Sequence, residues 1–244
     1  RDVLGSRGLG DVYKRQGDNY KDSLNQALTS AGYKNLSEYR QRMIKQIQYA
    51  NFLLDYIDDH FDDVFNDYYQ QCAPKYVSLI KISVSDTSSP TDDETSKLNE
   101  VKELISNTDK SFGDIAQDYS DDSTSSKKGS LGIVDSKDTS GIANSYGKDV
   151  FNAIEALSEG QVSDVITGDN GYYFVKVTST DKKTLKKELK KTDIDSPLLA
   201  YDDYLQYVVY NSYKINYKDK DIKKIVQEVV NKALEERKTE RGEA

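Results

Sequence analysis

The loop from Tyr119 to Gly132, YSDDSTSSKKGSLG, carries the residues best placed to do chemistry. Adjacent carboxylates at Asp121 and Asp122 follow a short amphipathic segment, and a glycine-bounded turn closes the loop. Such carboxylates supply negative charge and hydrogen-bond acceptors. An aspartate beside a serine in a polar loop is also a common turn or cap residue. The sequence therefore leaves a purely structural role for Asp122 open.

Histidine and cysteine each occur once, at His60 and Cys72, which limits the kinds of site that can form. One cysteine cannot form an intramolecular disulfide, so the redox compartment stays undetermined. A tetrahedral zinc site would need carboxylates for most of its ligands, and we expect no metal and no cofactor. A Ser-His-Asp hydrolase would need His60 as its base. Because His60 lies in an acidic helical run, a solvated helix residue is the better interpretation.

Composition argues against two further classes of protein. The 244 residues carry a net charge of −8, and acidic and basic residues are mixed along most of the chain, so we expect no nucleic-acid partner. No window of about 18 apolar residues is present, so no segment is predicted to span a bilayer. The length suffices for one large domain or two small ones.

The first 16 residues, RDVLGSRGLGDVYKRQ, show neither helical nor strand periodicity and resemble translated adapter or linker sequence. We interpret residues 1–16 as non-native or disordered and exclude them from fold reasoning. On this interpretation the native N-terminus, with any targeting signal, precedes Gly17.

Amphipathic helices are predicted toward the N-terminus of the chain. The first runs from Tyr20 to Ala31 and is stopped by Gly32. A capping box follows, in which Asn35 caps the next helix and Glu38 reaches back. An acidic helix from Asp58 to about Gln71 ends before Pro74. The helix between these two has a continuous apolar stripe, formed by Leu36, Tyr39, Met43, Ile47, Ala50, Leu54 and Ile57.

Two more amphipathic helices are predicted near the C-terminus, from Leu198 to Tyr213 and from Asp221 to about Glu236. Because helices of this kind are stabilised mainly by burying their apolar stripe, we expect residues 17–74 and 181–244 to pack into one discontinuous helical lobe. The basic run from Lys182 to Lys191 is interpreted as a solvated linker or helix end in preference to a binding patch.

The middle of the chain, residues 75–180, has the pattern of a small α+β domain, with the order β, α, α, β, α, β, β. A strand is predicted from Tyr76 to Asp86, and a hairpin around the turn Asp169 to Gly171. A short strand is predicted from Leu131 to Val134, and a helix from Val150 to Leu157. The two helices after the first strand bury Leu98, Val101 and Ile105, and Phe112, Ile115, Ala116 and Tyr119.

Four segments in this order resemble the rotamase domain of the parvulins: VSLIKISV, YSDDSTSSKKGSLG, ALSEGQVSDVI and GYYFVKV. The flanking helices resemble those of PrsA-type and SurA-type foldases, which are extracytoplasmic chaperones. The resemblance implies an α+β fold in which a parvulin-like domain, with a small antiparallel sheet and surrounding helices, is inserted into a helical chaperone lobe formed by both chain ends.

The resemblance also assigns site residues. In the family, an apolar pocket adjoins a cysteine or aspartate beside two histidines. Asp122 matches the cysteine or aspartate, and Leu131 a pocket leucine. Tyr146 and Val150 fall near the pocket methionine and phenylalanine, and we add Ser120 as a substrate-binding candidate.

The chain departs from the family at both histidines, which are replaced by Lys81 and Tyr173. One interpretation is that the Tyr173 hydroxyl and the Lys81 ammonium hydrogen-bond Asp122 and leave some activity. On this view Asp122, Tyr173 and Lys81 are the catalytic candidates. The other interpretation is that catalysis is lost and the domain persists as a binding module or spacer.

The resemblance implies a folding factor for exported proteins, with weak or lost peptidyl-prolyl isomerase activity and with unfolded or proline-containing polypeptides as clients. The alternatives are a non-catalytic holdase or peptide-binding module that uses the helical lobe, and an intracellular scaffolding protein. An extracytoplasmic, cell-surface location is expected, with membrane attachment only through a lipid anchor preceding Gly17. The sequence does not indicate the oligomeric state.

Overall fold

A computed structural model describes residues 20–190, 196–201, 204, 208, 214 and 216–243. The chain divides into two compact units, Arg1–Asp59 and His60–Ala244. The prediction for residues 1–16 lies outside the described residues, and so does most of the helix predicted from Leu198 to Tyr213.

The first unit contains helices α1 (Tyr20–Ser30) and α2 (Leu36–Asp59). Asn35 caps α2 as predicted, because its Oδ1 accepts the Glu38 N–H at 2.9 Å. Glu38 reaches back one residue further than expected and accepts the Lys34 N–H at 2.8 Å. The stripe predicted on α2 is mostly not buried, since of its members Ile57 is buried whereas Ile47 is 42% exposed. Leu53, the other buried residue of the helix, lies outside the predicted stripe.

The second unit begins with helix α3 (Phe61–Cys72) and ends with helix α10 (Lys220–Glu240). The elements between them are β1 (Lys75–Ser83), α4 (Asp92–Asn107), α5 (Phe112–Tyr119), a 3-10 turn (Ser123–Lys127), β2 (Ser130–Val134), α6 (Ile142–Tyr146), α7 (Lys148–Ala156), β3 (Ile166–Gly168), β4 (Gly171–Ser179), α8 (Lys182–Leu189) and α9 (Pro197–Ala200). These elements give the predicted α+β fold class.

The four strands form one antiparallel sheet in the order β2-β1-β4-β3. Side chains alternate between the two faces of a strand, and each face has its own core. On one face, Val77, Leu79 and Val175 pack with Val150 and Ile154 of α7. On the other face, the buried residues are Ile80, Ile82, Leu98, Val101, Phe112, Ile115, Ala116 and Phe174.

Several local predictions are confirmed. The hairpin around Asp169 to Gly171 joins β3 and β4. The helix α3 ends before Pro74, although Ala73 adopts a left-handed conformation with φ 42°. Helix α6 was not predicted, and it adds a helix to the expected order.

Of the two structures expected for the basic run from Lys182, a solvated linker or a helix end, the structure shows a helix. The first eight residues of the run form α8, in which Leu185 and Leu189 are buried. The lysines lie on the outside, where the Lys186 Nζ contacts the Asp62 Oδ1 at 2.9 Å and the Lys182 Nζ lies 5.4 Å from the centre of the Tyr69 ring. Residues Lys182–Leu189 therefore form a helix that packs against α3.

None of the helices within the described residues has the length and apolar character needed to cross a membrane.

Candidate functional site

The site is built on the loop that joins α5 to the 3-10 turn, and this loop is attached to β1. The Ser120 Oγ accepts the Lys81 N–H at 3.0 Å and the Asp122 N–H at 3.3 Å. The Asp121 N–H donates to the Lys81 carbonyl at 2.8 Å. Ser120, predicted to bind substrate, thus uses its hydroxyl oxygen to set the position of Asp122 relative to the sheet.

The two adjacent carboxylates have different surroundings. Asp121 accepts hydrogen bonds from the Ser83 N–H at 2.9 Å and from the Lys97 Nζ at 2.6 Å, which fastens the loop to β1 and α4. Asp122 caps the 3-10 turn, because its Oδ1 accepts the Thr124 N–H at 2.9 Å and the Thr124 hydroxyl at 2.7 Å. Only the second carboxylate is directed toward the pocket tyrosines.

Tyr146, at the end of α6, is the phenol that contacts Asp122. Its hydroxyl lies 3.4 Å from the Asp122 Oδ1, which is long for an O–H···O hydrogen bond. Burial, followed by the negative charge of Asp122 and this hydrogen bond, raises the pKa of Tyr146 to about 12. The phenol therefore keeps its proton, and with it its donor role, well above neutral pH.

Lys81 and Tyr173 lie directly opposite each other in the β1–β4 pair. The Lys81 Nζ is 5.8 Å from the centre of the Tyr173 ring, within cation–π range. The Tyr173 hydroxyl donates to the Asn170 Oδ1 at 2.6 Å instead of forming the expected hydrogen bond to Asp122. Burial and the charges of Asp122 and Asp169 raise the pKa of Tyr173.

Apolar surface surrounds these polar groups. The Tyr146 and Tyr173 rings meet edge to face, with centroids 6.2 Å apart and planes at 80°. Val150 is buried in the same cluster, and Leu131 packs against it. A cavity of about 440 Å³ adjoins Tyr146, Val150 and Tyr173 and extends to the β3–β4 hairpin. Such a space can take a small apolar ring with a polar group at its rim.

Leu131 also has a second environment. Together with Tyr76, Leu189 and Pro197 it lines a separate cavity of about 740 Å³ beside β2. The cavity of about 440 Å³ is lined by Tyr146, Val150 and Tyr173, and Leu131 packs against the same apolar cluster. Asp122 and Lys81 do not line the cavity, but each contacts one of its tyrosines, Asp122 through the Tyr146 hydroxyl and Lys81 over the Tyr173 ring. Ser120 contacts the backbone of Lys81 and Asp122.

Asn170 and Thr124 are contacts of the site that sequence reasoning missed. The sequence indicates only that Asn170 belongs to a tight turn and Thr124 to a polar loop. The two residues give no signal in the sequence, because their roles depend on side chains that the fold brings back toward Tyr173 and Asp122.

Among the residues that the structure describes, no group of three or more histidine, cysteine, aspartate or glutamate side chains is arranged to hold a metal ion.

Comparison with known proteins gives a family match for the central domain. The rotamase family model, described as the PPIC-type PPIASE domain, matches residues 79–179. Foldase protein PrsA of Staphylococcus epidermidis is similar at 32% identity over 141 residues, covering 55% of this chain and 41% of the relative. The foldase of the same name from Staphylococcus aureus matches with the same identity and coverage. This chain thus spans less than half the length of these curated relatives.

A solved structure gives a longer but weaker alignment. The crystal structure of PrsA from Bacillus subtilis aligns with 90% of this chain and 86% of its own, at 21% identity and a TM-score of 0.40.

Proposed function

We propose that this chain, whose residues 79–179 form a parvulin-type rotamase domain homologous to that of PrsA foldases, is a folding factor that isomerises X-Pro bonds with low activity. The observation that carries this proposal is the contact of Asp122 with Tyr146, whose ring packs with Tyr173 and Val150 beside a cavity of about 440 Å³. Unfolded or proline-containing polypeptides are the proposed clients.

The reaction is a rotation about one amide bond, and no covalent bond has to break. Its barrier is about 18–20 kcal/mol because resonance gives the C–N bond partial double-bond character. The resonance form places negative charge on the carbonyl oxygen. A carboxylate beside that oxygen disfavours this form and favours the twisted amide. Asp122 is the residue proposed for this role.

The other residues of the pocket hold the proline. We place its ring against Tyr146, Tyr173 and Val150, where apolar contact also keeps water from the amide. Tyr146 orients the Asp122 carboxylate through its hydroxyl. Hydrogen bonds of this length in active sites often tighten when substrate binds.

Low activity follows from how the replaced residues are used. The chain has no histidine other than His60, so the pocket holds no imidazole. Lys81 lies over the face of the Tyr173 ring, and the Tyr173 hydroxyl is directed to Asn170. Neither replacement reproduces a histidine pair beside Asp122.

The experiment that tests the activity is cis/trans exchange of a proline tetrapeptide, followed by NMR with the full chain. We expect catalysis well below that of a histidine-bearing parvulin, and a further loss of about tenfold or more on Asp122→Ala. Asp118→Ala is the matched control, because Asp118 pairs with Lys110 on the outside of α5 with 52% of its side chain exposed. Exchange at the uncatalysed rate with the unmodified chain would contradict the enzyme proposal.

A holdase function is the second candidate, and exposed apolar side chains favour it. Ile222, Ile225 and Val229 of α10 are 56–64% exposed. On α2, the exposed apolar side chains include Ile44, Ile47 and Phe52. Exposed apolar surface of this kind is typical of sites that bind other polypeptides.

Suppression of aggregation tests the holdase function. We expect the chain to keep a denatured client in solution at stoichiometric ratios, and the pair Ile225→Ser and Val229→Ser to weaken this effect. The pair Lys224→Ser and Glu228→Ser on the same helix is the control. Equal suppression by both double variants, or none by the unmodified chain, would count against the proposal.

The proposal also covers the organisation of the domains and the location of the protein in the cell. Residues 17–74 and 181–244 are proposed to form one helical lobe around the domain at 75–180, and the protein is proposed to act outside the cytoplasm, attached to the membrane by a lipid anchor. The similarity to PrsA foldases supports this placement. The genomic sequence upstream of Gly17 is the test: a signal peptide with a lipidated cysteine is expected, and a short cytosolic start would overturn it.

A further inference from the structure

The phenol of Tyr173 is fixed by a residue of the neighbouring turn. Tyr173 is 3% exposed, and its hydroxyl donates to the Asn170 Oδ1 at 2.6 Å. A hydroxyl has one hydrogen to donate. Because that hydrogen is directed to Asn170, Tyr173 can offer only lone pairs to any other group in the pocket.

The turn that carries Asn170 is itself fixed against β1. The Asn170 carbonyl accepts the Val84 N–H at 3.3 Å. At the next residue, Gly171, an added Cβ would lie 2.4 Å from the Ile82 carbonyl oxygen. The backbone of the turn therefore packs closely against β1, and this fixes the position of the Asn170 Cα from which the side chain extends.

The second phenol of the pocket is directed elsewhere. The Tyr146 and Tyr173 rings pack edge to face, with their centroids 6.2 Å apart. The Tyr146 hydroxyl lies 3.4 Å from the Asp122 Oδ1. The two tyrosines are thus neighbours with different hydrogen-bond partners.

We propose that Asn170 is a positioning residue of the rotamase site, which accepts the Tyr173 hydrogen bond and thereby leaves Tyr146 as the phenol that donates to Asp122. This inference rests on the proposed isomerase function. It assigns unequal roles to two tyrosines that the sequence alone does not distinguish.

Proline-peptide exchange measured by NMR on the full chain tests the assignment. Asn170→Ala should lower kcat by about fivefold, the effect of one lost hydrogen bond, with KM within about twofold, because the freed Tyr173 hydroxyl then competes with Tyr146 for Asp122. Adding Tyr173→Phe to Asn170→Ala should restore most of the lost kcat, because no Tyr173 hydroxyl is left to compete. Asn170→Asp keeps an acceptor of the same length and should recover most of the loss.

Asn152→Ala on the exposed side of α7 is the matched control, and its kcat should not change. A double variant with a kcat as low as that of Asn170→Ala, or lower, would overturn the proposal. So would a rise in KM with kcat unchanged, or no recovery with Asn170→Asp.

A second readout separates this inference from the proposed function. The same Asn170–Tyr173 cycle, measured by urea unfolding, should give a coupling of about fivefold in the unfolding equilibrium constant without any need for activity. Coupling without catalysis by the unmodified chain would overturn the isomerase function but keep the contact. Catalysis without coupling would overturn the role of Asn170 alone.

Discussion

Gly129 closes the site loop onto the sheet, and its position requires glycine. The Leu79 N–H donates to the Gly129 carbonyl at 2.8 Å. The residue has φ +74°, and an added Cβ would lie 2.4 Å from the Leu79 carbonyl oxygen. A side chain here would be strained in its backbone and would also collide with β1. The close approach keeps Asp122 near Lys81 and Tyr173.

We therefore predict that Gly129→Ala lowers the free energy of unfolding by about 2–4 kcal/mol, since the left-handed conformation and the collision add. Urea unfolding measures the change. Gly132→Ala is the matched control, because Gly132 has φ +79° but no atom within 4 Å of the added Cβ. Its cost should be only about 1 kcal/mol. Equal costs at the two glycines would contradict the predicted collision with Leu79.

The titration of Tyr146 predicts how the site responds to pH. Its pKa is raised from 10.0 to about 12, so the folded state binds this proton more tightly than the unfolded state. The contribution of the Tyr146 proton to the free energy of unfolding is fully present below about pH 10 and is lost as the pH rises toward 12. Between pH 7 and 10 the Tyr146 hydroxyl stays a donor to Asp122.

We accordingly expect the catalysed exchange rate of a proline peptide to be constant from pH 7 to 10, since no histidine titrates in the pocket. NMR exchange measures this rate without a coupling enzyme. Tyr146→Phe should give a lower but equally flat profile. A step in the profile of the unmodified chain that is absent from Tyr146→Phe would place the pKa of Tyr146 below 10.

At the scale of elements, helix α7 is held at its C-terminus by a lysine from β1. The Lys75 Nζ donates to the carbonyls of Ile154, Glu155 and Leu157 at 2.9, 2.7 and 3.0 Å. A cation at this end satisfies carbonyls that lack helical partners and complements the helix dipole. The same helix carries Val150 of the pocket, so Lys75 links the start of the sheet to the site.

Lys75→Met is predicted to lower the free energy of unfolding by about 2 kcal/mol, the scale expected when hydrogen bonds from a charged donor are lost. Thermal or urea unfolding measures the effect. Lys148→Met is the control on the same helix, because Lys148 is exposed at its N-terminus, where a cation is unfavourable. If Lys148→Met lowered the free energy of unfolding as much as Lys75→Met, the result would contradict a specific stabilising role for the hydrogen bonds of Lys75 at the C-terminus of α7.

Most of the elements of the central domain could be predicted from the sequence, but helix α6 and the contacts between elements could not. The strands, helices α4 and α5 and the β3–β4 hairpin follow from periodicity and turn residues, and Asp122 was found through the family resemblance. Helix α6 was missed because Asp138 caps it from a distance, with its Oδ1 accepting the Ile142 N–H at 2.6 Å. The contacts Tyr146–Asp122 and Tyr173–Asn170 depend on the packing of separate elements, which periodicity does not predict.

At the scale of the whole second unit, α3 joins the sheet and the end of the chain. Its Tyr68 donates to the fully buried Asp135 at 2.7 Å, just after β2. On the same helix, Asp67 accepts hydrogen bonds from the Tyr201 hydroxyl and from the Arg241 guanidinium. Segments far apart in sequence therefore meet on one helix.

The pair formed by Asp67 and Arg241 lies mostly out of water, with side chains 14% and 8% exposed. Breaking a buried pair by removing one partner leaves a charge without compensation, at a cost of about 3–5 kcal/mol. We expect Arg241→Met to lower the free energy of unfolding by about 3 kcal/mol, measured by urea unfolding. Lys232→Met is the control, because the Lys232 side chain is 80% exposed in its contact with Glu236, and its cost should stay below about 1 kcal/mol.

The double variant Asp67→Asn with Arg241→Met separates the charge from the packing around it. If the cost of Arg241→Met comes from an uncompensated carboxylate, neutralising Asp67 should restore part of the lost stability. If the cost comes from lost packing of the arginine side chain, the double variant should be as unstable as Arg241→Met or less stable. The first outcome would identify the ion pair as the contact through which the end of α10 stabilises the second unit, and the second would contradict it.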